Sequence, residues 1–248
     1  MNFSAHQDEP RQARLYCRSI ARTHIGKVRM VNEDRLLDHP DHRLWAVADG
    51  MGGHSRGDRA ATLVIHALAE LAEGEAAIDR DAIDGAIQDA NRAILALSEE
   101  RERCGSTVAG LHAAGGTATL FWAGDSRIYR FRDGGLDRLT CDHSYVQQLV
   151  DAGLITPAQA RSHPQANLIT RAVGIDERLE LEYASVPLMP GDHFLLCSDG
   201  LSSMVEDQEV AKTLSADPET APGRLIDQAL EAGGSDNISL ILISVLPA

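Results

Sequence analysis

Apolar and polar positions alternate loosely from Leu15 to Ile25, the period of a half-exposed strand. Residues 35–48 read as a hairpin turning through His39-Pro-Asp-His42. Its second arm ends in Leu44 to Ala48, a short apolar run stopped by glycines, which predicts a buried strand. The period then changes to that of helices. Ala60, Val64, Ala67 or Leu68, and Leu71 mark one amphipathic helix over 57–73, and Ile83, Ile87, Ala90, Ile94 and Leu97 mark a second over 79–100. Strand-type runs return at 105–112 and 116–124, and 127–132 with 135–139 form a hairpin around Asp133-Gly-Gly135. Residues 145–152 predict a short helix closed by Gly153, and Thr156-Pro157 opens another turn. A buried strand at 192–198, helices near 206–215 and 219–232 (the second opening with Pro218), and a last strand at 238–245 complete the chain.

Helices thus fall in pairs between blocks of strands instead of alternating with them, which is an α+β pattern of stacked layers. Residues 15–248 carry no tandem repeat, low-complexity tract or linker and read as a single domain. Within it, about 142–175 breaks the β pattern and reads as a flap-like surface insertion. Residues 1–14 are polar and read as a flexible leader without the apolar segment of a secretory signal.

Composition narrows the function. At 248 residues and 44% hydrophobic, the chain can bury a sizeable core, and its formal charge of −14 argues against nucleic acid or an acidic membrane as partner. No apolar run approaches the roughly 20 residues that span a bilayer, so a soluble cytoplasmic protein is expected. Cys17, Cys104, Cys141 and Cys197 lie far apart, without zinc spacing, and are expected as buried reduced thiols.

The candidate chemistry lies at strand ends. Leu44 to Ala48 delivers Asp49, and glycines at 50, 52 and 53 let the following backbone bend sharply. Asp125 in Gly124-Asp-Ser, Asp199 in Ser198-Asp-Gly and Asp236 in Ser235-Asp-Asn repeat the arrangement, and Glu33 precedes the first hairpin. Carboxylates that converge repel one another unless cations neutralise them. A donor set with oxygen but no His or Cys points to Mg²⁺ or Mn²⁺ over zinc. Arg29, in the polar stretch before Glu33, offers a guanidinium fork that matches phosphate oxygens.

Seven motifs now stand in order: Gly26…Arg29…Asn32-Glu33-Asp34, Asp49-Gly-Met-Gly-Gly-His54, Gly105-Ser-Thr107, Gly124-Asp-Ser-Arg127, Ile169-Thr-Arg-Ala-Val-Gly174, Ser198-Asp-Gly200 and Ser235-Asp-Asn237. Together they resemble the metal-dependent serine/threonine protein phosphatases of type 2C (PPM family) in their bacterial form. The resemblance implies a four-layer αββα sandwich, two central antiparallel sheets flanked by paired helices. It also implies two Mn²⁺ or Mg²⁺ ions. Asp49 would bridge both, with Glu33 and the Gly50 carbonyl completing one and Asp199 and Asp236 the other. Asp34 would hold metal-bound waters, Asp125 with Asp199 would take a weaker third ion, and Arg29 would grip the substrate phosphate.

By the same resemblance the activity is hydrolysis of phosphoserine and phosphothreonine in proteins, opposing a cognate Ser/Thr kinase, with the enzyme a monomer. Animal members carry His directly after the Asp-Gly; here Met51 stands there and cannot transfer a proton. The general acid is left unassigned, with metal-bound water as the default and His54 three residues on. The rival reading is a catalytically inactive phosphoprotein-binding or regulatory module on the same fold. Its mark would be a lost carboxylate, and none is lost.

Overall fold

The computed structural model describes residues 15–52, 56–98 and 103–247. The leader 1–14 and His54 lie outside the described residues. In chain order the elements open with strands β1 (Leu15–His24), β2 (Asp34–His39) and β3 (Leu44–Gly52), followed by helices α1 (Gly57–Glu73) and α2 (Arg80–Ser98). Five strands come next: β4 (Cys104–Ser106), β5 (Val108–Ala114), β6 (Thr117–Ala123), β7 (Arg127–Arg132) and β8 (Gly135–Arg138). The short helices α3 (Tyr145–Asp151) and α4 (Pro157–Arg161) precede β9 (Glu182–Pro187) and β10 (His193–Cys197). The chain closes with α5 (Asp199–Ser202), α6 (Asp207–Ala216), α7 (Ala221–Glu231) and β11 (Ile238–Pro247).

The strands form two antiparallel sheets, ordered β1-β11-β10-β7-β8 and β2-β3-β5-β6-β9, with β4 paired to β3. Side-chain alternation sorts residues between three cores. In β11, Ile241, Ile243 and Val245 face the space between the sheets, whereas Ile238, Leu240 and Leu242 pack under α5–α7. In β3, Trp45 and Val47 join the space between the sheets, and Leu44, Ala46 and Ala48 pack under α1 and α2. The layers are therefore helix pair, sheet, sheet, helix group, the expected αββα sandwich. Strands with a neighbour on both sides, such as β10 and β11, are buried on both faces, and edge strands such as β1 and β8 are half-exposed, so hydropathy follows position in the sheet. Gly110 lies opposite Phe121, and a Cβ there would come within 2.1 Å of its ring; the glycine makes room for the aromatic side chain.

The structure corrects the sequence reading in four places. The run 105–112 is two strands, β4 and β5, broken at Thr107. β9 carried no sequence signal, because its side chains are mostly half-exposed at a sheet edge. The proline in the first turn of α7 is Pro222, not Pro218. Only Cys104 and Cys197 are buried thiols; Cys17 is half-buried and Cys141 exposed. Among the described residues, no helix is long and apolar enough to cross a membrane.

Candidate active site

The register of the sheets gathers the acids. β2 and β3 pair so that Asp34 lies opposite Asp49. The end of β10 lies between β7 and β11, with Cys197 opposite Arg127 on one side and Leu240 on the other. The loop 124–126, the turn into α5 and the segment entering β11 therefore open at one end of one sheet, and the end of β3 supplies the other. Asp34, Asp49, Asp125, Asp199 and Asp236 interact there, with Glu33 alongside.

Asp34 and Asp125 are buried, while Asp49, Asp199 and Asp236 keep partly accessible faces. Burial, and then the charges of Asp34, Asp199, Asp125 and Asp236, push the Asp49 carboxyl well above its ordinary range. Burial followed by the charge of Asp199 raises Asp125 to about 8. Asp199 rises to about 6 through burial and Asp236, although it lies within hydrogen-bonding reach of Asp49. Asp34 also rises to about 6 by burial, even though it accepts a 2.8 Å hydrogen bond from the Ser198 hydroxyl. Carboxylates are held together here against their own repulsion, which is the condition that bound cations relieve.

Hydrogen bonds to the backbone fix Asp49 and Glu33. The Asp49 N–H donates to Thr107 Oγ1 (3.0 Å), and the Thr107 N–H donates to the Asp49 carbonyl (2.8 Å). The Glu33 carboxylate accepts from the backbone of Gly57 and Asp58 in the first turn of α1, where the positive end of the helix dipole favours an anion. The Gly50 N–H donates to the Glu33 carbonyl at 3.3 Å, and a Cβ on Gly50 would lie 2.0 Å from the Gly57 carbonyl oxygen. No other residue fits at position 50. Arg29 donates to Asp236 Oδ2 at 2.7 Å with half of its side chain exposed.

Several holding residues carried no role in the sequence reading. Asn237 is buried, donates from Nδ2 to the carbonyls of Ile25 (2.9 Å) and Val31 (3.0 Å), and accepts the Glu33 N–H at Oδ1 (2.8 Å). Arg127 grips Asp142 through Nε and Nη2, the latter at 2.6 Å, and so ties the Asp125 loop to the start of the 142–175 segment. His143 accepts the Gly124 N–H at Nδ1 (3.1 Å), which leaves Nε2 to donate to Glu182, 3.1 Å away. A signal for such residues existed in Thr107, a polar side chain breaking an otherwise apolar run. A cavity of about 250 Å³ extends from Asp125 and Asp199 beneath the 142–175 segment, between Val146, Arg138, Arg161 and Ser202.

The site suits hard cations. All its donors are oxygens, and Asp34 Oδ1 and Asp125 Oδ1 are buried without a hydrogen-bond partner. Among the described residues, no three acids, imidazoles or thiols enclose a single position by themselves. Water would complete each coordination sphere, as Mg²⁺ in particular requires.

The two-sheet sandwich thus carries a carboxylate cluster at one end, beside an arginine whose side chain is half exposed, an oxygen-only donor set of the class that takes hard divalent cations. The model of the protein phosphatase 2C family matches residues 22–223, and the chain belongs to that family. It is 43% identical over 238 residues to the serine/threonine protein phosphatase PstP of Mycobacterium tuberculosis, covering 94% of this chain and 46% of that protein. The chain thus spans about half the length of that relative. The serine/threonine phosphatase stp of Listeria monocytogenes is 33% identical over 235 residues, covering 90% of this chain and 93% of that protein. Among solved structures, the catalytic domain of PstP in complex with two manganese ions superposes with a TM-score of 0.85 at 39% identity, covering 94% of this chain and all of that one.

Proposed function

We propose that this chain is a metal-dependent protein serine/threonine phosphatase that hydrolyses phosphoserine and phosphothreonine without a covalent enzyme intermediate. The observation that carries the reading is the approach of Asp49 to Asp199 amid three further aspartates, next to an arginine with a free face. Two Mn²⁺ or Mg²⁺ ions fit this donor set. Asp49 would serve both, Glu33 and the Gly50 carbonyl one, and Asp199 and Asp236 the other. Asp34 would orient their waters, and Asp125 with Asp199 would hold a weaker third ion. Bound cations would neutralise the cluster and activate water for attack on phosphorus.

The chain's own residues do the rest. Arg29, aimed by Asp236, meets the phosphate oxygens with a fixed fork, so charge developing on them in the transition state is already complemented. Thr107 and Glu33 keep Asp49 and Gly50 in register. Residues 142–175 act as a flap within the single domain 15–248, and the cavity beneath them receives substrate next to the acids. No proton donor for the departing serine or threonine is assigned, because Met51 cannot serve. We place the enzyme in the cytoplasm as a monomer, acting on phosphoproteins made by a cognate Ser/Thr kinase.

The test is phosphate release from a phosphothreonine peptide with and without Mn²⁺, in the parent and in Asp49→Asn. Mn²⁺-dependent release that the variant loses supports the reading. Protein that binds metal and releases no phosphate would falsify it.

A further inference from the structure

Among the described residues, four of the eight exposed large apolar side chains fall within residues 25–31: Ile25, Val28, Met30 and Val31. Met30 is 90% exposed and Val28 65%. These two flank Arg29, which points to Asp236 in the acid cluster.

The exposure is not that of a loose loop. Both shoulders hang from one buried side chain, since Asn237 Nδ2 donates to the carbonyls of Ile25 and Val31. The Lys27 N–H donates to the Gly234 carbonyl at 2.7 Å, and Gly26 adopts φ +83° with its Cβ position 2.2 Å from the Asp236 carbonyl oxygen. The loop is locked to the segment entering β11, which carries Asp236, and its crown, Val28 to Met30, is held in solvent with apolar side chains on either side of the phosphate-gripping arginine.

We infer that this crown is a docking surface for the substrate backbone on either side of the phosphoresidue, and that it selects phosphosites flanked by aliphatic side chains. The inference rests on the phosphatase reading above. An extended peptide advances about 3.3 Å per residue, so residues one or two positions from a phosphothreonine held by Arg29 come over Val28 and Met30. Val28 and Met30 are the most exposed apolar side chains of the segment, so an aliphatic flank laid over them removes apolar surface from water on both sides, which a small polar flank does not.

The experiment compares two phosphothreonine peptides, with Leu or with Ser at the positions flanking the phosphoresidue, and p-nitrophenyl phosphate as a substrate too small to reach the crown. Each is measured on the parent and on the Val28→Ser, Met30→Ser double variant. The expected result is roughly a tenfold preference of the parent for the Leu peptide in kcat/KM, carried mainly by KM. The variant should lose it while p-nitrophenyl phosphate turnover stays within about twofold. Equal use of both peptides by a parent active on p-nitrophenyl phosphate overturns the docking surface alone, as does a preference that survives in the variant. A parent dimer on gel filtration that dissociates in the variant also overturns it, by making the patch a contact between copies of this chain. No release from any of the three substrates overturns the phosphatase reading and the surface with it.

Discussion

Thr107 holds Asp49 from both sides of its peptide: its N–H donates to the Asp49 carbonyl at 2.8 Å and its Oγ1 accepts the Asp49 N–H at 3.0 Å. The same hydroxyl lies 2.7 Å from Ser126 Oγ, beside Asp125. One buried side chain therefore sets the spacing between two of the acids. Thr107→Val keeps the shape and removes the acceptor, leaving a buried N–H unpaired at about 1–3 kcal/mol. Urea unfolding should show that loss, and phosphate release should fall further than stability alone explains. Thr107→Ser should recover most of both. Valine with undiminished turnover would show that the clamp is dispensable.

Asn237 uses both amide hydrogens and its oxygen on the loop that carries Arg29 and Glu33. Asn237→Asp keeps the acceptor but turns a carboxylate oxygen toward the carbonyls of Ile25 and Val31. Amide hydrogen exchange in residues 25–33 should accelerate by at least tenfold, with KM for phosphopeptide rising. Unchanged exchange in that segment would argue against the clamp.

The raised carboxyls fix a pH dependence for the metal-free chain. Unfolded aspartates titrate near 4, whereas Asp34 and Asp199 titrate at about 6 and Asp125 at about 8 in the folded protein. Between those limits the folded state binds more protons than the unfolded one, so stability falls as pH rises. Asp34 and Asp199 give up their contribution as pH rises through about 6, and Asp125 as it rises through about 8. With EDTA present, the urea midpoint should therefore drop between pH 6.5 and 8, a window above the range where His143, lowered by burial, begins to charge. Added Mn²⁺ should stabilise most at pH 8. A flat EDTA profile would mean that the acids do not repel as placed.

Arg161 reaches the Ser202 carbonyl at 3.4 Å from the roof of the cavity beside Asp125 and Asp199. Arg161→Ala should change kcat/KM for a phosphoprotein several-fold while altering p-nitrophenyl phosphate turnover little. Equal losses on both substrates would make the segment a support for the fold, not a substrate gate.

The sequence by itself determined the alternation and helical periods, and with them most strands, the helix pairs and the acids at strand ends. These are local properties, readable from a few consecutive residues such as Leu44 to Asp49. The tertiary structure decided what meets what. Arg29 and Asp236 pair across 207 positions, and Glu33 meets Asn237 across 204; no local period encodes such a pairing. The break at Thr107 and the edge strand β9 escaped for related reasons. A threonine inside an apolar run looks like strand until its partner is known, and an edge strand that buries little leaves no hydrophobic stripe to find. The strand ends were legible because burial dictates their composition. Their assembly into one site was legible only through the order of the seven motifs and the resemblance they carry, because it is antiparallel register that brings Asp34 opposite Asp49 and Cys197 between Arg127 and Leu240.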